Sequence, residues 1–420
     1  MSCDQPMLTG PFGLDAEKGQ TCGYQRTVLV VVHHLTAATR LADVVPLLEP
    51  DRRVQVVFTC PPASVFARGT PEFVAGLGGV VVPWCQATQV PFDLAVAAGY
   101  GMLEQVHAPV LTLPHGVGFG KYMNRWASHG PLAEREGAGA VRARLVYHGR
   151  VVPSAVVVAT DAHLAHLTRS CPEAAPVAVL AGDPCYDRLA ASLDYCAAYR
   201  SALGVAGRKL VVVSSTWGPG SLLGQHPGLL PRLAAELPHS QYQVVAVLHP
   251  NIWAWHGRRQ LRAWYAGCAQ HGVMLLAPEE GWRAALAAAD WVIGDSGSVS
   301  CYAAAAGVPV LLASFPGQEV EPGSPAAALD RLATRLCLDQ AVEPQLGRAA
   351  AAWPAGAWPE MAAQVTSVPG QAAGLIREVM YRLMRLPEPE ELPVVAPVPP
   401  PPVRLAGQQA YGEARWRCDR

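Results

Sequence analysis

The chain has 420 residues, of which 51% are hydrophobic and 15% charged, and its formal net charge is −1. That length accommodates two domains of ordinary size with full cores, and the neutral balance excludes a general attraction to DNA or RNA. No stretch reaches the roughly 18 uninterrupted apolar residues that a membrane span requires, which leaves only peripheral contact with a membrane open. The eleven cysteines form no C-x-x-C pair and scatter from Cys3 to Cys418. That scatter predicts neither a disulfide framework nor a structural zinc site, and it fits a reducing, cytoplasmic setting. The first residues lack the charged-then-apolar order of a secretion signal.

In chain order, residues 1–24 lack periodicity and read as a flexible leader. Arg26–His33 (RTVLVVVH) is a short β-branched run with polar ends, which predicts a strand buried on both faces. Thr36 suits the N-cap of a helix reaching Leu48. Further strands are expected at Arg53–Thr59, Gly79–Val82, Phe92–Ala97, Pro109–Leu113 and Pro176–Leu180, with a helix near 63–77. Asp183-Pro184 has the cap and first-turn residues of another helix. The same rhythm restarts at Lys209–Ser214, Tyr242–His249, Val273–Leu276, Trp291–Gly294 and Val308–Ala313, with helices at 221–236, 252–271, 281–289 and 298–306. Strands alternating with helices predict an α/β chain with parallel sheets covered on both faces. The organisation expected is a leader (1–24), a domain at 25–204, a second domain at 205–386 ending in a helix near Gln371–Leu386, and a disordered, solvated Pro-rich tail at 387–420.

Ligands of open parallel sheets sit beyond the carboxyl ends of the strands, so the turns there carry the chemistry. Leu113-Pro114-His115-Gly116-Val117-Gly118-Phe119-Gly120-Lys121 follows a strand of the first domain. A neutral His115 there could take a proton from an attacking hydroxyl, and Lys121 could contact a phosphate. The tract is not a Walker loop, because His115 stands where its first glycine belongs and Tyr122 where its Ser or Thr belongs. Ser214-Ser215-Thr216-Trp217-Gly218-Pro219-Gly220-Ser221 has the hydroxyls and glycines of a phosphate nest; an ordinary Ser-capped turn is the equal alternative. His249, at the end of its strand, could stabilise phosphate charge. Trp253 and Trp255 could stack a nucleobase, although packing is the commoner role.

Gly294-Asp295-Ser296-Gly297-Ser298-Val299-Ser300 joins a strand to a small-residue helix. Such a turn offers free amides and hydroxyls to a phosphate, against the alternative of a Ser-capped helix. His33-His34, with Thr36, Thr39 and Arg40, could face an acceptor, but a capped helix accounts for that turn as well. His163 and His166 share a helix face with no carboxylate evident beside them, which favours a partly exposed face over a metal site. Asp183 and Asp187 are expected to cap and solvate their helix.

These residues together resemble two-domain nucleotide-sugar enzymes of the GT-B class, and within it the CDP-glycerol glycerophosphotransferases of teichoic-acid type. His115-Gly116 with Lys121, His249-Pro250, and Asp295-Ser296-Gly297-Ser298 carry the resemblance, over roughly residues 110–315. The chain departs from that pattern at Pro114, Val247 and Ser296. A second resemblance, to bacterial UDP-N-acetylglucosamine 2-epimerases, rests on His249-Pro250-Asn251, Asp295-Ser296-Gly297 and Ala181-Gly182-Asp183-Pro184. Val299-Ser300-Cys301-Tyr302 lacks the acidic residues that follow the turn in those enzymes.

The resemblance implies a GT-B-like fold, two Rossmann-like parallel-sheet domains facing a central cleft. It implies a transferase that moves a glycerophosphate-type group from a CDP-linked, nucleotide-diphosphate donor to an acceptor hydroxyl, lipid-linked acceptors included, near the inner face of the membrane. The alternatives are a nucleotide-sugar glycosyltransferase, an epimerase, or a nucleotide-binding module without chemistry. His115 and His249 are the implied catalytic residues. Thr216, Gly218, Ser221, Asp295, Ser296, Gly297, Ser298 and Ser300 are the donor-phosphate candidates, and Lys121 and Arg40 are acceptor or phosphate contacts. No metal and no cofactor are expected.

Overall fold

The computed structural model of the chain describes residues 7–8, 10–11, 16–62, 64, 66–118, 142–354 and 356–401. Lys121 lies outside the described residues. The first sheet is built from β1 (Arg26–Val31), β2 (Val54–Thr59), β3 (Val81–Val82), β4 (Leu94–Ala97), β5 (Val110–Thr112), β8 (Ala155–Val158) and β9 (Ala178–Leu180), and a small hairpin, β6 (Val146–Tyr147) and β7 (Arg150–Val151), precedes β8. The strand order is β3-β2-β1-β4-β5-β8-β9, and every pair in the sheet is parallel. The second sheet holds β10 (Lys209–Ser215), β11 (Tyr242–Leu248), β12 (Met274–Leu275), β13 (Trp291–Gly294), β14 (Val310–Leu312) and β15 (Thr334–Arg335), in the order β12-β11-β10-β13-β14-β15. It too is parallel throughout.

The unbroken apolar runs are explained by burial on both faces. Along β1, Val28 and Val30 enter one core while Leu29 and Val31 enter the core behind it. Along β10, Leu210 and Val212 face one core while Val211 and Val213 face the other. Side chains alternate across a strand, so no polar position is left between them. Two parallel α/β domains therefore stand as expected, and the ends of β1, β5, β10, β11 and β13 bring His33-His34, His115, Thr216, His249 and Asp295 to the sides that face each other.

Several elements differ from the sequence reading. The first helix is Leu35–Leu41, capped by the His34 side chain, which accepts from the Ala37 N–H, rather than by Thr36. β8 and β15 were not expected. The linker helices Pro184–Ser192 and Cys196–Ala202 pack into the second domain through Cys185, Leu189 and Tyr199. The helix Ala372–Met384 returns to the first domain, burying Ile376, Met380 and Tyr381 against the β1 core. The cores thus exchange segments across the boundary expected at 204. Asp183 caps its helix as expected, accepting from the Cys185 and Tyr186 N–H groups. Asp187 does not face solvent; its carboxylate receives the Gly370 and Ala372 N–H groups at 2.8 and 3.0 Å.

The Pro-rich tail is also corrected as far as residue 401. Val398 is buried in the second-domain core. Its N–H donates to Ser192 Oγ at 3.0 Å, and its carbonyl accepts from the Tyr199 hydroxyl at 2.7 Å. Arg188 Nε donates to the Ala396 carbonyl at 3.1 Å. Prolines bring carbonyls without amides, and Arg188 and Tyr199 supply the donors. The leader is pinned at Leu8, which exchanges two hydrogen bonds with the Gln86 side chain. Cys85 is disulfide-bonded, and eight other described cysteines carry free thiols.

A buried ionic network fastens the domains. Arg40, at the end of the first helix, donates from Nη1 to Asp183 Oδ1 and from Nη2 to the Tyr302 hydroxyl, each at 2.5 Å, and that hydroxyl donates to Asp183 Oδ2 at 2.6 Å. Beside it Asp43 receives Arg283 Nη1 at 2.7 and 2.8 Å and Arg188 Nη1 at 2.6 Å. Arg40 is therefore not an acceptor contact, since its guanidinium is consumed inside the protein. Removing one member of such a pair strands the other charge and costs about 3–5 kcal/mol. The Asp183→Ala variant should lower the unfolding free energy by about that much in urea titrations; a loss below about 1 kcal/mol would be the value of an exposed ion pair and would contradict this account of the network.

Candidate functional site

The β13 turn is built around Asp295, which is fully buried. Its Oδ2 receives the Thr216 N–H at 2.8 Å, the Thr216 hydroxyl at 2.7 Å and the Leu222 N–H at 2.9 Å, while Oδ1 receives the Gly297 N–H at 3.0 Å. Asp295 and Thr216 are thus not phosphate ligands. They tie the β10 and β13 turns together, and the Thr216 hydroxyl proton is already spent. Ser221 is likewise engaged. Its hydroxyl donates to the Gly218 carbonyl at 2.8 Å and accepts from the Gly224 N–H at 3.1 Å, so Gly218 and Ser221 form a capped turn. Ser300 packs back over the end of β13, where a Cβ on Gly294 would fall 2.2 Å from its Oγ.

What remains is a helix start left open. The helix Ser298–Ala305 has Gly297 as N-cap and no side-chain cap, whereas Ser324, Asp183, Thr160 and His249 each cap their own helices. The first-turn amides of a helix have no intrahelical partner and carry the positive end of its dipole. Ser296 is 4% exposed, and its hydroxyl has no hydrogen-bond partner among the described residues. Ser298 Oγ accepts from the Val117 N–H at 3.2 Å, across the domain boundary, and keeps its own proton to donate. An uncapped helix start beside an unpaired buried hydroxyl is a place for an anion.

The opposite wall carries His115. Its Nδ1 lies 3.1 Å from the Ala98 carbonyl. A carbonyl can only accept, so Nδ1 holds the proton and Nε2 keeps a lone pair. His115 is solvent-accessible yet stands at the floor of a cleft crowded by both domains. Desolvation there lowers its pKa to about 4, against the opposing effect of the hydrogen bond that it donates to the Ala98 carbonyl and with smaller lowering contributions from Arg40, Arg144 and His33. The glycines of its tract make room: a Cβ on Gly116 would fall 2.7 Å from Ser298 Oγ, and one on Gly118, at φ +54°, would fall 2.0 Å from the His163 ring.

His249 Nδ1 accepts the Asn251 N–H at 3.1 Å, which places the proton of its neutral ring on Nε2, a donor for an anionic oxygen. His34, whose turn the sequence offered either as facing an acceptor or as a capped helix start, joins this cluster. Its ring meets His115 edge to face at 4.8 Å, and burial, then the charges of His115, His33 and His249, hold its pKa well below the ordinary value. The signal was available, since His33-His34 ends a strand of the same sheet as His115. His163 is buried rather than part of an exposed face, and His166 does have a carboxylate partner, with Nδ1 3.0 Å from Glu321 Oε1 of the other domain. Among the described residues, no group of three or more His, Cys, Asp or Glu side chains is arranged to hold a metal ion.

The sequence matches no protein-family profile and no curated protein. Among solved structures, the fold is similar to a histidine-to-alanine variant of the wall teichoic acid polymerase TagF, with a TM-score of 0.58 at 13% identity over 86% of this chain and 89% of that one. It is also similar to the UDP-GlcNAc 2-epimerase of Neisseria meningitidis bound to UDP-GlcNAc, with a TM-score of 0.52 at 15% identity over 86% of this chain and 100% of that one. The S. aureus MnaA–UDP structure gives a TM-score of 0.50 at 11% identity over 89% of this chain and 100% of that one. At these identities the likeness establishes the fold, which is GT-B-like.

The histidines make stability depend on pH. His115 and His163 both sit at about 4, chiefly through desolvation, below the 6.5 of an ordinary His. As pH falls below about 6.5, the unfolded chain takes up protons that the folded chain refuses, so stability is lost between about pH 6.5 and 4. Urea midpoints should fall from pH 7 to pH 5, and His163→Gln should flatten that slope; midpoints equal at the two pH values would contradict the assignment.

Proposed function

We infer that the protein is a transferase of nucleotide-diphosphate donors, with a CDP-linked glycerophosphate as the preferred donor and a hydroxyl as acceptor. The observation that carries the reading is the uncapped helix start at Gly297-Ser298 with the unpaired Ser296 hydroxyl, facing a histidine whose backbone partner fixes its free nitrogen. The likeness to TagF, one variant of which was solved after a soak with CDPG, and the His-Gly and His-Pro turns support the donor class.

In this reading the donor pyrophosphate lies against the Ser298, Val299 and Ser300 amides, the Ser296 and Ser298 hydroxyls and His249 Nε2–H. His115 Nε2 takes the proton of the acceptor hydroxyl as its oxygen attacks the phosphorus of the group transferred. The bond from that phosphorus to the CMP oxygen breaks, and CMP leaves with the negative charge held by the helix start and His249. Of the residues first considered, His115, His249, Ser296, Ser298 and Ser300 keep direct roles, and Asp295, Thr216, Gly218, Ser221 and Gly297 shape the turn.

A reading with UDP-sugar donors is favoured by His249-Pro250-Asn251 and by the UDP-bound neighbours of the same fold. Incubation with CDP-glycerol and with UDP-sugars, with CMP and UDP release followed separately, divides the two. Release of CMP alone is expected; release of UDP alone would overturn the donor assignment. His115→Ala should abolish turnover while donor affinity changes less than about threefold, because the acceptor's proton acceptor is lost and the phosphate donors stay. The acid limb of the wild-type pH–rate profile should lie near the lowered pKa of His115, about 4, and a limb near 6.5 would contradict its role as base. Ser296→Ala should leave the unfolding free energy within about 0.5 kcal/mol, since that hydroxyl has no partner to lose, yet weaken donor binding about tenfold; unchanged donor affinity would remove Ser296 from the site.

A further inference from the structure

Three aromatic side chains meet at the mouth of the cleft. Phe66, from the segment between β2 and the helix Thr70–Gly76 of the first domain, lies 4.7 Å from the Trp217 ring at an interplanar angle of 61°. Its centroid is 6.1 Å from Trp255 at 47°. Both tryptophans belong to the second domain, and they remain 44% and 68% exposed despite the contact. Trp253, two residues before Trp255, serves the core instead. It is buried and donates its indole N–H to the Leu248 carbonyl at 3.3 Å. No packing need accounts for Trp217 and Trp255, and large exposed aromatic surface held on a turn and a neighbouring helix marks a contact site.

Their positions relate them to the candidate phosphate site. Trp217 directly follows Thr216, which binds Asp295 and whose Cγ2 would lie 2.5 Å from a Cβ on Gly297. Trp255 stands on the helix Pro250–His256, which His249 caps. A ring attached to a phosphate at the Gly297-Ser298 start, through a spacer the size of a ribose, comes within reach of Trp217.

We propose that Trp217 and Trp255 form a stacking subsite for the nucleobase of the donor, and that Phe66 of the opposite domain fills this subsite until the base displaces it. The inference rests on the nucleotide reading of the site. Phe66 lies 4.7 Å from Trp217 and 6.1 Å from Trp255, where a ring stacked between the tryptophans would lie, so Phe66 and the base compete. Ligand binding then requires the Phe66 side chain to withdraw, and the apparent affinity falls in proportion to the time Phe66 spends in place.

The test is calorimetric titration of the wild type, Trp217→Ala, Trp255→Ala and Phe66→Ala with CMP, UMP and inorganic pyrophosphate, with thermal unfolding of each variant as the check on folding. Loss of a stacked base weakens binding about 5- to 150-fold. Trp217→Ala and Trp255→Ala should weaken CMP or UMP by that factor and leave pyrophosphate unchanged. Phe66→Ala should tighten the nucleotide and leave pyrophosphate unchanged, because it removes a competitor. Nucleotide affinities that ignore both tryptophans would overturn the subsite, and so would equal losses for nucleotide and pyrophosphate. Weaker nucleotide binding by Phe66→Ala would overturn the competition, showing Phe66 to be a wall of the site. A wild type that binds no nucleotide at all would instead contradict the nucleotide reading beneath it.

Discussion

The arrangement of the cleft depends on one buried contact, the Arg40–Asp183–Tyr302 triad with the Asp43–Arg283 pair beside it. Arg40 and Asp43 come from the first domain, Asp183 from the linker, and Tyr302 and Arg283 from the second. Charges so deeply buried gain little net stability, because desolvation offsets most of the attraction. Their effect is on alternatives: any other mutual position of the domains would leave a guanidinium or carboxylate buried without a partner. Asp183 also caps the linker helix, so the same carboxylate fixes the direction in which the chain enters the second domain. With that joint set, the turns after β5 and β13 meet, and the Val117 N–H reaches Ser298 Oγ.

In the turn after β13 a carboxylate shapes the candidate phosphate site without being a ligand in it. A buried Asp295 would repel an anion placed against it. It instead takes four hydrogen bonds, three on Oδ2 and one on Oδ1, which spend the donors around it and lock two turns together. The donors left over are the helix-start amides and the hydroxyls of Ser296 and Ser298. The histidines are likewise set by the backbone: Ala98 takes the proton side of His115, and the Asn251 amide takes the lone pair of His249. Two imidazoles thereby present opposite chemistry, one an acceptor and the other a donor.

Much of the frame was legible because it is local. β1, β10, β11 and β13 are short apolar runs with polar ends, and Asp183-Pro184 announces a helix start within two residues. The strand-end placement of His115, His249 and Asp295 followed from the same pattern. The illegible parts depend on partners far along the chain. Arg40 looked like an acceptor or phosphate contact because nothing near it reveals Asp183 or Tyr302. Asp187 looked like a solvated helix residue because its partners, the Gly370 and Ala372 amides, lie near the other end. The composition of the tail suggested solvation, yet Val398 finds a core and its carbonyl finds Tyr199.

The central claim is that a phosphate sits at the open helix start. A crystal structure with a bound nucleoside diphosphate tests it most directly. The account predicts phosphate oxygens within hydrogen-bond distance of the Ser298–Ser300 amides and Ser296 Oγ, with His249 Nε2 facing the same group. Phosphates bound elsewhere in the cleft, with those amides taken up by the protein itself, would contradict it.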